Sequence, residues 1–308
     1  KYLIIDDQMY LLGGRNTFNL FLGDYTPVKN IDRELFIYET AGDPEASIHQ
    51  LKQYFQSVWE LPDAKLYTKM GDREKSQECI QWLTAHADAL KSSYPSAYEP
   101  WDYETLTMET NRIPLLHNPI NASNKEPWMW ETVCHLMGTG KEITVYTPYI
   151  ICGKEMYADL TALCKKTDLV EIITNDVASG ANPWGCTDYL NQKKKIWATG
   201  VRVYEYLGEH SSHSKAVLID DRMSIVGSYN MDMRSTYQDT ELMLAVDSPE
   251  LNAVIRKEAE VNKTYSRYMT PEGTYINGEN YVPREMSAGK KIFYGVLRVL
   301  IMPFRRFL

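Results

Sequence analysis

Residues 213–230 read HSKAVLIDDRMSIVGSYN, and residues 1–16 read KYLIIDDQMYLLGGRN. Set in register, Lys1 matches Lys215, Asp6 matches Asp220, Gly13 matches Gly227 and Asn16 matches Asn230, each pair 214 positions apart with no gap. Both stretches predict a strand, a turn and a returning strand. The likeness runs on downstream. Asp32-Arg33-Glu34 precedes LFIY and Asp239-Thr240-Glu241 precedes LMLAV, and the pairs Asp43-Pro44 and Ser248-Pro249 then have the form of helix starts, an N-cap followed by Pro at the first helical position. After Pro44 the apolar residues Ile48, Leu51, Phe55, Val58 and Trp59 recur at helical spacing. A supersecondary order that occurs twice is the mark of a duplicated fold.

The second copy shows what precedes such a motif. EITVYTPYI (142–150) and VEIITND (170–176) are apolar runs of buried-strand type, separated by a helical stretch from Lys154 to Lys166 and followed by GVRVYEY (200–206). This is βαβ alternation leading to His213. By symmetry the first copy requires a comparable segment of roughly 70–100 residues ahead of Lys1. The expected organisation is therefore the C-terminal part of a first repeat at 1–60, a linker or helix-bearing insertion at 61–111 with a helix from Asp72 to Ser92, a second repeat at 112–275, and a basic amphipathic tail at 276–308.

The residue types in the motif carry chemistry. Side chains at i and i+2 of a strand project to one face, so His213 and Lys215 reach out together. Asp220 belongs to the turn, with a structural role set against a catalytic one. Gly227 and Ser228 allow close backbone approach, and Asn230 adds an amide. An imidazole, a fixed cation and an amide beside small residues suit an anionic phosphodiester, which needs a nucleophile or proton donor and neutralisation of its non-bridging oxygens. An isolated H-x-K would be read as a surface loop. Here H-x-K-x4-D-x6-G-S-x-N is complete, and four of its positions recur at the start of the sequence.

H-x-K-x4-D followed by G-S-x-N, met twice, resembles the signature of the phospholipase D superfamily. The resemblance implies an α/β fold, a duplicated α-β-α sandwich with a mixed sheet flanked by helices, here with its first repeat truncated at the N-terminus. It implies a reaction without cofactor or metal, in which one motif histidine attacks phosphorus to form a phosphohistidine and the other protonates the leaving alcohol. By this likeness His213 is the acid/base, and Lys215, Lys1, Asp220, Asp6 and Glu241 complete the catalytic set. Asn230, Asn16, Ser228, Gly227 and Gly13 surround the phosphate, and Glu241 and Glu34 (or Asp32) orient the histidines. The first motif's histidine is expected two positions ahead of Lys1, outside this sequence, so the sequence as written is expected not to turn over although its parent does. His49, His86, His117 and His135 are scattered and read as structural.

Within the superfamily, GGRN (13–16), TPY (147–149), GVRVYEY and GSYNMDMRS (227–235) resemble bacterial cardiolipin synthases, in particular the C type. That implies glycerophospholipid substrates, phosphatidylglycerol with or without phosphatidylethanolamine, and a monomer working peripherally on the cytoplasmic face of the bacterial cytoplasmic membrane. Residues 290–308, KKIFYGVLRVLIMPFRRFL, hold five basic residues and no acid in a chain of net charge −8. They are too short and too charged to span a bilayer. They either lie in its interface or dock on the domain. The net charge argues against a nucleic-acid-binding face, which requires clustered Lys and Arg. Two alternatives stay open: a phospholipid or nucleic-acid phosphodiesterase, and a scaffold without catalytic activity. Five cysteines without C-x-x-C spacing predict reduced thiols and a reducing compartment.

Overall fold

The computed structural model describes residues 1–23, 26–68, 71–110, 112–121, 124–180 and 182–308. It divides into two compact units, residues 1–52 with 108–308, and residues 53–107. The smaller unit contains the helix Arg73–Ser93, capped by the Asp72 carboxylate on the Glu74 and Lys75 amides, and no side chain of that helix is buried. It also holds the short helix Tyr103–Leu106, capped in the same way by Asp102.

The larger unit is built on a mixed nine-stranded sheet. At its centre Glu142–Tyr146, Leu169–Asn175 and Arg202–Tyr206 pair in parallel, joined by the helices Lys154–Lys166 and Pro183–Trp197. Outside Glu142–Tyr146 the strands Ala216–Ile219, Met223–Gly227, Leu242–Asp247 and Leu115–His117 follow one another antiparallel. On the other edge Ser266–Met269 and Tyr275–Asn277 are also antiparallel. The central strands are buried almost throughout, as the apolar runs at 142–146, 170–175 and 216–219 require. The helix Pro249–Thr264 starts as its sequence predicts, with Ser248 accepting from the Leu251 amide and Pro249 in the first turn. The first-copy counterpart begins later than Pro44. Asp43 closes a turn on the Glu45 amide, and the helix runs Ser47–Trp59 with Ile48 and Leu51 fully buried.

The strand–turn–strand at the start of the chain is Tyr2–Ile5 and Met9–Gly13, completed by Glu34–Tyr38 into a three-stranded antiparallel sheet. Its counterpart in the large sheet is Ala216–Ile219, Met223–Gly227 and Leu242–Asp247. The turns match in detail: Asp6 and Asp220 both have φ near +50°, at 51° and 47°, a left-handed conformation that Asp tolerates better than most residues. The two hairpins approach each other at their glycine ends. A Cβ on Gly14 would stand 3.0 Å from Lys215 Cδ and 3.2 Å from the Gly227 carbonyl oxygen.

Gly227 is tighter still, since a Cβ there would sit 2.1 Å from the Leu242 carbonyl oxygen and 2.8 Å from Met243 Cα. Both are backbone atoms of the paired strand, which cannot rotate away. Gly227→Ala is therefore expected to lower stability by about 1–3 kcal/mol, read as a drop in denaturant midpoint at constant slope. Unchanged stability would mean that this strand pair has slack enough to admit a methyl group.

Candidate functional site

Two features of the chain's course bring distant residues together. Asn30–Ile31 pairs in parallel with Ser211–Ser212, Ile31 opposite Ser212. The residues that follow on each strand, Asp32 and His213, are thereby set side by side, and the His213 amide donates to the Ile31 carbonyl at 2.6 Å. His213 Nδ1 lies 2.6 Å from Asp32 Oδ2. Phe21 packs edge-on against the imidazole with ring centres 4.9 Å apart. Arg15 secures the loop that supplies both neighbours: its guanidinium donates to the Phe21 carbonyl at 2.8 Å, the Asp32 carbonyl at 3.0 Å and Glu34 Oε2 at 2.7 Å.

Lys215 is only 2% exposed, and its Nζ stands 2.6 Å from Nδ1 and 2.9 Å from Nε2 of His213. Burial drives the ammonium down to about 7, against the opposing pull of the Asp32 carboxylate. Burial also holds His213 below its ordinary value, partly offset by its bond to Asp32 and reinforced by the Lys215 charge. Glu241 is buried and pushed up to about 7 by desolvation. It accepts from the Ser228 hydroxyl and, at 2.8 Å, from the Ser235 hydroxyl. Asp232, equally buried, is pushed up to about 6 by the same cause, although it accepts the Ser235 amide at 2.5 Å.

These groups surround one cleft of about 310 Å³ whose walls include Lys1, Asn16, His213, Lys215, Ser228, Asn230 and Glu241. Lys1 Nζ donates to the Gly14 carbonyl at 2.8 Å. The Asn230 amide nitrogen has a long contact to Ser235 Oγ at 3.4 Å, and its carbonyl oxygen has no partner among the described residues. That amide is available to a ligand. The residues read from the two motif copies thus meet across the cleft, two cations and two amides around a single imidazole.

Other candidates lie elsewhere. Asp220 is at the far end of the strand Ala216–Ile219, roughly 16 Å from Lys215 at about 3.3 Å per residue. Its carboxylate accepts the Lys141 and Glu142 amides at 2.7 and 2.9 Å, which hold it below its usual range. Asp6 occupies the equivalent turn and is exposed. Neither lines the cleft, and the geometry supplies the turn-holding alternative only. Asp220→Ala is expected to cost about 1–3 kcal/mol through its two lost charge-assisted bonds, leaving kcat unchanged. A large loss of kcat in a variant of wild-type stability would return Asp220 to the chemistry.

Glu34 does not reach His213 either, being paired with Arg15. The strand register explains why. Gly13 stands opposite Glu34, whereas Gly227 stands opposite Met243. Stepping back two residues on each partner strand makes Asp32, not Glu34, the counterpart of Glu241. Matching the two Asp-x-Glu triplets in sequence is off by two positions. Glu241, for its part, faces Ser228 and Ser235 rather than His213. Gly13 and Gly227 act through close strand approach.

Tyr149, Asn182, Trp184 and Asp232 also line the cleft and were not singled out from sequence. Tyr149 and Asp232 lie inside TPY and GSYNMDMRS, so the stretches were visible but the roles were not. Asn182 caps the helix Pro183–Trp197 through the Trp184 and Gly185 amides, a local signal that does not report which cavity the helix end faces.

Comparisons with known proteins agree with this architecture. Residues 133–262 match the family model described as cardiolipin synthase, PLD-like domain. Cardiolipin synthase A of Yersinia pseudotuberculosis is 26% identical over 157 residues, covering 50% of this chain and 30% of that protein. Cardiolipin synthase A of Erwinia tasmaniensis is 28% identical over 108 residues, 35% of this chain and 21% of that one. The chain thus spans about a third or less of the length of these curated relatives, which carry the A designation; the likeness to the C type rests on the sequence stretches alone. The crystal structure of phosphatidylserine synthase from Haemophilus influenzae superposes with a TM-score of 0.59 at 15% identity, covering 98% of this chain and 69% of that one, and supports the fold. With its duplicated hairpins, its mixed sheet and its matched domain at residues 133–262, the chain is similar over that domain to the phospholipase D superfamily.

Proposed function

We propose that the cleft carries out phosphatidyl transfer between glycerophospholipids, and that the product is cardiolipin. The observation that supports this most is the meeting of Lys1 and Asn16 with His213, Lys215 and Asn230 around one cleft, next to an imidazole already held by Asp32. A phosphodiester anion in this cleft places its non-bridging oxygens between the two lysines and two amides, where low dielectric strengthens each contact. Lys215, poised near neutrality by burial, is driven fully to its charged form by the arriving anion.

The roles follow from the chemistry. A histidine of the partner motif, which the family resemblance sets two positions ahead of Lys1, attacks phosphorus and forms a phosphorus–nitrogen bond. The bond from phosphorus to the donor headgroup oxygen breaks, and His213 gives its Nε2 proton to that leaving oxygen. The glycerol hydroxyl of an acceptor phosphatidylglycerol then attacks phosphorus as His213 takes its proton, and the phosphorus–nitrogen bond breaks. Asp32, on Nδ1, keeps the imidazole turned with Nε2 toward the cleft and stabilises its charged form. The site works at the surface of the cytoplasmic membrane, where both lipids reside.

The test supplies the intact protein with defined lipids in the presence of a chelator: phosphatidylglycerol alone, then with phosphatidylethanolamine. Cardiolipin is expected, with glycerol or ethanolamine released in equal amount. Phosphatidic acid as the sole product would make the enzyme a hydrolase, and efficient cleavage of DNA at low salt in place of lipid turnover would overturn the lipid assignment.

A further inference from the structure

The basic C-terminal segment is docked on the domain, but only by one face. It forms the helix Ala288–Leu300 and the following turn Met302–Phe307. Tyr294, Leu297 and Ile301 are buried. Arg298 Nε donates to Asn191 Oδ1 at 2.8 Å, and Arg305 forks onto both oxygens of buried Asp188 at 2.5 and 3.1 Å. The Arg234 amide donates to the Leu308 carbonyl at 2.8 Å. These contacts hold the inner face of the segment against the domain.

The opposite face has no cover among the described residues. At about 100° per residue, Ile292, Phe293, Val296, Val299 and Leu300 fall within an arc of roughly 120°. All five are more than half exposed, up to 70% for Ile292 and 73% for Val299. A soluble surface seldom leaves so much contiguous apolar area open without a binding role. Lys291 and Arg298 lie well round the helix from the centre of this face, at about 140° and 160° on the same projection, and exposed Arg306 follows the helix. The apolar surface continues through Phe304 to Phe307, and Phe307 and half-exposed Trp184 both line the catalytic cleft.

We propose that this face seats the protein on an anionic phospholipid bilayer with the mouth of the cleft against the lipid headgroups. The proposal deepens the lipid reading given above and rests on it for what the cleft then does. Charge selects the occupant. The segment holds five cations and no acid in a chain of net charge −8. Arg305 is paired with Asp188 and Lys291 stands 3.9 Å from Glu285, so Lys290, Arg298 and Arg306 supply the local positive excess that draws an anionic sheet to this end of the chain. A second copy of the chain docked face to face would set the same cations against one another across a two-fold axis. The depth is shallow. Thirteen helical residues span about 20 Å, against a hydrocarbon core of about 30 Å, and no helix among the described residues is long and apolar enough to cross a membrane. A helix lying in the plane with its apolar face sunk about 5–10 Å brings Phe307 and Trp184 to headgroup level. A phosphodiester then enters the cleft without its chains leaving the bilayer.

Cosedimentation with vesicles tests the seating without any need for turnover, so its failure is separable from failure of the proposed chemistry. The chain is expected to bind vesicles of phosphatidylcholine with one-third phosphatidylglycerol, to bind pure phosphatidylcholine far more weakly, and to be released by salt. Lys291→Glu with Arg306→Glu, both at exposed positions outside the core, is expected to weaken binding at least ~25-fold, about fivefold per cation removed. Val296→Glu with Val299→Glu is expected to abolish it at unchanged melting temperature. Phe304→Trp is expected to show blue-shifted emission and quenching by brominated lipid chains. Absence of binding to anionic vesicles, or binding that both paired variants leave intact, overturns the proposal. So does a dimer that the valine variant dissociates without changing vesicle binding.

Discussion

His213→Ala in the intact protein is expected to lower cardiolipin formation by at least ~10³-fold, with the lipid still bound. The side chain lost is the one imidazole among the cleft's lining residues, held on one side by Asp32 and on the other by Lys215. Removing it leaves both lysines and both asparagines to grip the phosphate. KM should therefore stay within a few-fold while kcat collapses, the pattern of a group that acts on the transition state rather than on ground-state binding. Radiolabelled phosphatidylglycerol and quantified product decide the point. Product formation at the wild-type rate would remove His213 from the chemistry, and a loss confined to KM would make it a binding residue.

Asp32→Asn should be nearly as damaging, with an expected loss of about 10²–10⁴-fold in kcat. The change keeps shape and removes only the charge behind Nδ1. Its effect on pH dependence has a fixed sign. Burial already holds His213 below the ordinary imidazole value, and the carboxylate of Asp32 works against that depression. Without the carboxylate the value falls further, so the imidazolium needed to protonate the leaving oxygen is lost at lower pH. The alkaline limb of the rate profile is expected to move toward lower pH in the variant, which a purely structural defect would not produce. Glu34→Gln supplies the contrast. It disturbs the salt bridge to Arg15, and a rate within about threefold of wild type is expected, the worth of a partly exposed pair. Equal losses in the two variants would contradict the assignment of Asp32 as the orienting carboxylate.

The paired treatment of these carboxylates shows where reading from sequence stops. The hairpins at 1–16 and 213–230 align without a gap because a strand, a tight turn and a returning strand are contiguous and fixed by local sterics. Downstream, the loop from Asn16 to Asp32 is five residues longer than the one from Asn230 to Glu241. Once loop lengths differ, similar triplets are a poor guide to register, and only the pairing of Gly13 with Glu34 and of Gly227 with Met243 sets Asp32 level with Glu241. The turn role of Asp220 was legible for the opposite reason: turn chemistry is local, and the amides of Lys141 and Glu142 merely complete it.

By itself the sequence determined the duplicated α/β plan, the strand-forming runs of the second repeat and the identity of the imidazole, cations and amides, because each is written in neighbouring residues at periods of two or 3.6. Tertiary structure alone decided that Asp32 holds His213 from 181 residues away, that burial brings Lys215 and Glu241 to titrate near neutrality, and that the basic C-terminal helix turns one apolar face inward and leaves the other open. Those outcomes depend on which surfaces exclude water from one another, and desolvation is a property of the packed whole that no local pattern of residues encodes.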